Sequence, residues 1–167
     1  ERKGIRLLAK TPALIAAFDR VRKGLDPVAP DDTKTISESF LWMLRNEEPT
    51  PTMAHALDVC LILHADHGFN ASTFASMVTT STLSDLYSAV TTAIGTLKGP
   101  LHGGANEAVM HMLNEIPSVE AVDAHIKGRL ERKDKVMGFG HRVYKAYDPR
   151  ATYLKTLAKQ LSEDTGN

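Results

Sequence analysis

Apolar residues return every three or four positions along almost the entire chain, and no stretch alternates apolar with polar as a half-buried strand does. That periodicity admits few folds: an all-α array of about eight helices is predicted. Leu7, Leu8, Leu14, Ile15, Phe18 and Val21 recur at helical spacing with Arg6, Lys10, Arg20 and Arg22 largely between them. Residues 5–23 are therefore expected as one helix, or as two short ones broken near Pro12, ended by Gly24. A polar, proline-containing connector (26–34) precedes a second helix carrying Ile36, Phe40, Leu41 and Leu44. Thr50 and Pro51 suit an N-cap and first turn, and the run from there to Ala65 is apolar nearly all round, which predicts a buried helix.

The pattern continues over 72–82 and 84–98, with Ser84 and Asp85 starting the later helix and Gly99-Pro100 ending it. A further helix is expected over 103–115, another from Ser118 through Leu130, and a last one opened by Asp148-Pro149 that buries Leu154, Leu157 and Leu161. There is no internal repeat, and Gly99-Pro100 is the most plausible boundary between two helical blocks.

A chain of 167 residues, 43% apolar, can build one domain or parts of two around a real core. Its 20 basic and 20 acidic residues cancel, so no overall field favours nucleic acid or an anionic membrane, and an anionic ligand must be held by a local cluster. The single cysteine, Cys60, lies in an apolar stretch, which excludes an internal disulfide and suits a buried thiol in a reducing compartment such as the cytoplasm. No apolar run approaches the roughly 20 residues that cross a bilayer, and the charged opening lacks a secretory core. The first residue is not Met and the last helix has no resolved stop, so a partial chain is expected.

Seven histidines are the first candidates for chemistry. His55, His111 and His125 fall inside predicted helices with no polar constellation beside them and are read as structural. His64, His67, His102 and His141 fall at helix ends or in glycine-bearing loops, where side chains can face a cleft. His102 precedes Gly103-Gly104 and a helix, so its ring is expected beside free backbone N–H groups and the positive end of a helix dipole. Such a place disfavours imidazolium, and a neutral ring could donate to a carbonyl oxygen and stabilise an enol or enolate. The alternative at this point is an N-cap histidine without chemistry.

Val136-Met-Gly-Phe-Gly-His-Arg142 has two glycines but neither the preceding strand nor the third glycine of a dinucleotide loop. Its glycines allow a ligand close to the backbone. Arg142, Lys145 and Arg150 gather around His141 as a cradle for carboxylates or phosphates, or else as a solvated basic loop. His64 and His67 stand three apart on one helical face, a spacing that could chelate a metal, but a third ligand is missing.

Taken together, Leu63-His-Ala-Asp-His67 with Asn70-Ala-Ser72, Gly99-Pro-Leu-His-Gly-Gly-Ala-Asn-Glu107, and Gly138-Phe-Gly-His-Arg-Val-Tyr-Lys145 with Asp148-Pro-Arg150 resemble the citrate synthase family in order, wording and spacing. The likeness runs through nearly the whole chain and is strongest to bacterial forms, which include 2-methylcitrate synthases. Gly68 departs from it, standing where many relatives carry an acidic residue.

The resemblance implies part of the all-α citrate synthase fold: 1–99 the end of a first large-domain segment that forms a dimer, 100–167 the start of a small domain that closes over the substrates, with the rest outside these residues. It implies that acetyl-CoA condenses with oxaloacetate and that citryl-CoA is hydrolysed. His102 would hydrogen-bond the thioester carbonyl, and His141 would bind and protonate the oxaloacetate carbonyl. His67, Asn70 and Arg150 would hold the rest of oxaloacetate. Val136, Met137, Gly138, Phe139 and Gly140 would lie against coenzyme A through their backbone, with Lys145 at a basic phosphate contact. The aspartate base and further arginines are expected beyond residue 167. No metal or redox cofactor is implied; the partners are the two substrates and a second copy, in a dimer or dimer-based hexamer. Three other readings stand beside this one: a 2-methylcitrate synthase taking propionyl-CoA, a non-catalytic truncated paralogue, and a metallohydrolase using His64 and His67.

Overall fold

In the computed structural model, residues 1–65, 68–140 and 146–166 are described. They form α1 (Arg2–Arg22), α2 (Ile36–Arg45), α3 (Pro51–Ala65), α4 (Ala71–Ser81), α5 (Leu86–Leu97), α6 (Gly104–Asn114), a short 3₁₀ turn (Val119–Ala121), α7 (Val122–Glu131) and α8 (Pro149–Thr165). No strand occurs among the described residues, so the all-α expectation holds.

The helix starts follow from polar side chains that satisfy the first free amides. Thr35 and Glu38 make a reciprocal capping box on α2, Asn70 accepts from the Thr73 amide on α4, and Asp85 accepts from Tyr87 and Ser88 on α5. Pro12 does not break α1, although it removes one ladder bond. The carbonyl it leaves without a donor belongs to Leu8, which is exposed, so water can take the place of the lost amide. The helix expected from Ser118 begins instead as a 3₁₀ turn and becomes α7 only at Val122.

The chain divides into two compact units, Glu1–His67 with Tyr147–Asn167 and Gly68–Ala146. Gly99-Pro100 lies inside the second, so neither unit ends at the boundary expected there. In the first unit α1 packs on α2, α2 on α3, and α3 on α8. Ala16, Met43, Ala56 and Leu157 are its buried apolar residues. Removing a side chain such as Met43 from water contributes about 2 kcal/mol. Arg20 is buried too: Nε donates to the Asp26 carbonyl at 2.6 Å and a terminal nitrogen to the Leu44 carbonyl at 3.4 Å, tying the end of α1 to the end of α2.

Two expectations fail here for one reason. α3 is not buried all round, since Ala56 is its only buried residue and Ile62 is 64% exposed, and Cys60 is half-buried. An all-apolar helix buries only the faces that find a neighbour, and within this unit α3 finds α2 and α8. From α8, Leu157 is buried as expected, while Leu154 and Leu161 are half-buried.

The second unit is organised by the α4–α5 hairpin. Thr79 donates to Thr92 across it at 3.1 Å, and the Ser72 hydroxyl reaches the Ala93 carbonyl at 3.0 Å. The turn between these helices places Leu83 at φ 61, a left-handed conformation that costs a non-glycine residue.

Candidate functional site

His102 is held by three helices at once. It sits on the turn between α5 and α6, and its Nε2 lies 2.8 Å from the Ser72 Oγ in α4, thirty residues away in sequence. Ser72 in turn touches the Ala93 carbonyl of α5. Two glycines bring the turn this close. A Cβ on Gly103 would stand 2.6 Å from the Leu97 carbonyl oxygen and from two of its side-chain carbons, and a Cβ on Gly104 would stand 2.9 Å from the Lys98 and Gly99 carbonyl oxygens. Only residues without a Cβ let α6 start against the end of α5.

The backbone of this turn corrects one sequence expectation. The His102 and Gly104 amides both donate to the Gly99 carbonyl, and those of Ala105 and Asn106 donate to His102 and Gly103. Most of the N–H groups expected to be free beside the ring are thus already used, because the chain enters α6 through a hydrogen-bonded turn. The N-cap alternative also falls away: Gly103 is the N-cap of α6, it makes no side-chain cap, and the His102 ring faces Ser72 instead. The half-buried imidazole keeps Nδ1 for another partner.

A serine hydroxyl has one hydrogen to give. If Ser72 gives it to the Ala93 carbonyl, Oγ accepts from Nε2–H and Nδ1 of a neutral His102 is an acceptor. If Ser72 gives it to Nε2, Nδ1 carries the proton and is a donor. The Ala93 carbonyl lies inside α5, where the helical ladder supplies a second donor, so the switch leaves it paired. Ser72 thus selects what His102 can do.

Asn70 caps α4 through its Oδ1, which accepts from the Thr73 amide at 2.9 Å, two residues from Ser72 on the same helix start. That use leaves its amide N–H groups as the part able to meet a ligand.

Residues 136–140 run beside α6 and α7. Gly138 and Gly140 take φ 88 and φ 80, and a Cβ on Gly138 would stand 3.4 Å from Val109 of α6. Val136 and Phe139 join Ile126 and Leu130 of α7 in lining an open apolar cleft of ≈ 260 Å³. Met137 is half-buried in the same segment. A Cβ on Gly140 would meet nothing within 4 Å, so at both glycines it is the left-handed φ, not crowding, that calls for glycine.

His125, read from sequence as structural and isolated, belongs to a polar cluster. Its Nε2 accepts from Arg129 Nε at 3.0 Å, and Arg129 also pairs with Glu115 at 2.7 Å. The hydrogen bond from Arg129 holds the Glu115 carboxyl below the ordinary glutamate range. The expected isolation overlooked a donor one helical turn away and an acid beyond the end of α6.

In the first unit Arg150 stands in the first turn of α8, clasped by Asp148. The carboxylate accepts from Nε and from a terminal nitrogen at 2.7 Å, and it also caps the helix through the Arg150 amide. His67, His141 and Lys145, and Arg142 with them, lie outside the described residues. His64 donates Nδ1–H to the Cys60 carbonyl at 2.6 Å, and no group of three or more His, Cys, Asp or Glu that could hold a metal occurs among the described residues.

The family described as citrate synthase, C-terminal domain, matches residues 1–167. Citrate synthase 2 of Bacillus subtilis is 58% identical over 165 residues, 99% of this chain and 44% of its own length. A 2-methylcitrate synthase of Mycobacterium tuberculosis is 49% identical over 95% of this chain and 40% of its own length. Among solved structures, citrate synthase from Thermoplasma acidophilum, in a ternary complex with carboxymethyl coenzyme A and oxaloacetate, aligns with a TM-score of 0.84 at 38% identity, covering 94% of this chain and 42% of that one. The chain therefore spans under half the length of these relatives. With a family match along its whole length and a fold shared with solved members, this chain belongs to the citrate synthase family.

Proposed function

We propose that the full-length protein condenses acetyl-CoA with oxaloacetate and hydrolyses citryl-CoA to citrate and coenzyme A. The observation that carries this is the Ser72–His102 pair at the start of α6, in a chain of this family. Forming a carbon nucleophile from a thioester requires a donor at the thioester oxygen as the α-proton leaves. A neutral His102 donating from Nδ1, with Ser72 donating to Nε2, meets that requirement without adding a charge beside the positive end of α6. The α-proton needs a carboxylate acceptor, which we place outside these residues, as we do the remaining oxaloacetate arginines. Asn70 and Arg150, with His67 and His141, hold oxaloacetate in this proposal, and His141 protonates its carbonyl. The apolar cleft beside Val136 and Phe139 supports an acyl-CoA role for 136–140, with Lys145 reaching a phosphate. The first unit's helices and the remainder of the protein then form a dimer-based assembly whose closure excludes water from the cleft. Neither metal nor redox cofactor takes part. No described helix is long and apolar enough to cross a membrane, which accords with a cytoplasmic location.

The 49% identical 2-methylcitrate synthase supports a second substrate, propionyl-CoA. One methyl group is worth only about 1–3 kcal/mol of discrimination. Release of coenzyme A thiol by the full-length protein, measured with oxaloacetate and either thioester, separates the two. No oxaloacetate-dependent release with either would sink both.

A further inference from the structure

Arg129 joins three parts of the second unit that are separate in sequence. Nε donates to His125 on its own helix, one terminal nitrogen donates to Glu115 beyond α6 at 2.7 Å, and the other donates to the Lys135 carbonyl at 3.3 Å. The Arg129 side chain is 18% exposed, so the fork is partly sheltered from water. Lys135 is the residue immediately before 136–140. The chain reaches it through a Schellman turn: Lys133 takes φ 59, its amide bonds the Leu130 carbonyl, and the Asp134 amide bonds the Arg129 carbonyl at 2.9 Å. Backbone and side chain of one residue thus both fix where 136–140 begins.

We propose that Arg129 is a positioning residue for acyl-CoA binding: its guanidinium pins the entry to 136–140 against α6 and α7, so the backbone there meets the coenzyme already ordered. The proposal rests on the acyl-CoA role given to this segment above. A loop ordered before binding loses less conformational freedom on binding. Three acceptors in different directions suit the rigid planar fork of arginine and not the point charge of lysine.

The test uses Arg129→Gln and Arg129→Lys in the full-length protein, with steady-state kinetics and amide hydrogen exchange at 136–140. Both variants should raise the acyl-CoA KM about tenfold, the weight of one charge-assisted hydrogen bond. The oxaloacetate KM should stay within about twofold. Exchange at 136–140 in the ligand-free variants should quicken by a similar factor. An unchanged acyl-CoA KM, or equal rises in both KM values, overturns the proposal, and so does wild-type behaviour of Arg129→Lys. If neither variant folds, Glu115→Gln should move KM and exchange the same way by about threefold, and no movement is equally fatal. Wild-type exchange with and without coenzyme A separates the two levels. Absence of protection at 136–140 overturns the acyl-CoA assignment and this proposal with it; protection in the wild type, with KM unmoved in the variants, overturns this proposal alone.

Discussion

His102 and Arg150 are anchored in opposite ways. His102 owes its setting to Ser72, thirty residues away, and to a turn that two glycines allow to sit against α5. Arg150 is clasped by an aspartate two residues before it, which also caps its helix. The first geometry exists only when α4, α5 and α6 have packed; the second can form as soon as α8 does. A contact made by tertiary packing should be sensitive to distant sterics, and a contact made within one helical turn, such as that of Asp148 with Arg150, much less so.

The largest effect tests whether the packed anchor carries the chemistry. His102→Ala in the full-length protein should lower turnover roughly a hundred- to thousandfold, the usual loss for one donor at a developing oxyanion. Oxaloacetate binding, read by calorimetry, should stay nearly intact; its loss would reverse the roles given to the two anchors. Next comes Gly103→Ala, whose methyl must displace the Leu97 carbonyl. It should cost about 1–3 kcal/mol by denaturant unfolding and lower turnover as His102 leaves Ser72. Turnover at the wild-type level would show that the close approach is irrelevant to the site.

Ser72→Ala leaves the imidazole free to choose its tautomer, and kcat should fall about three- to tenfold with little change in stability. On the local anchor, Asp148→Asn keeps the cap but removes the charge facing Arg150. Thermal stability should hold, while the oxaloacetate KM rises about two- to threefold. A change in stability without a change in KM would make Asp148 a cap alone.

The smallest effect concerns Glu115. Its carboxyl is held low in the folded protein, so its contribution is present above the ordinary glutamate range and fades as pH falls through the lowered value. The melting-temperature difference between wild type and Glu115→Gln should therefore be visible at neutral pH and vanish in acid.

The same contrast separates what is legible in the sequence from what is not. Helix positions were legible because periodicity and caps are local: Thr50 before Pro51, Asp85 before Tyr87, Asp148 before Pro149. Asn70 and Ser72 were visible as part of a motif, but nothing in their spacing says that Ser72 meets His102. Burial of α3 was overestimated because hydrophobicity reports what a helix could cover, not which neighbours it has. His125 was misread although Arg129 stands four residues on, a helical spacing; Glu115 and the Lys135 carbonyl complete the cluster only in three dimensions.

Gly103 also sets the terms on which this stretch of sequence can change. A residue larger than glycine there meets both the side chain and the main chain of Leu97. Trimming Leu97 to alanine would clear the two carbons but leave the carbonyl oxygen in place, so no compensating exchange at 97 reopens the position. In directed evolution of the protein, position 103 should be fixed in any library, while 97 can be varied for packing. Surviving variants should carry glycine at 103 whatever residue they select at 97.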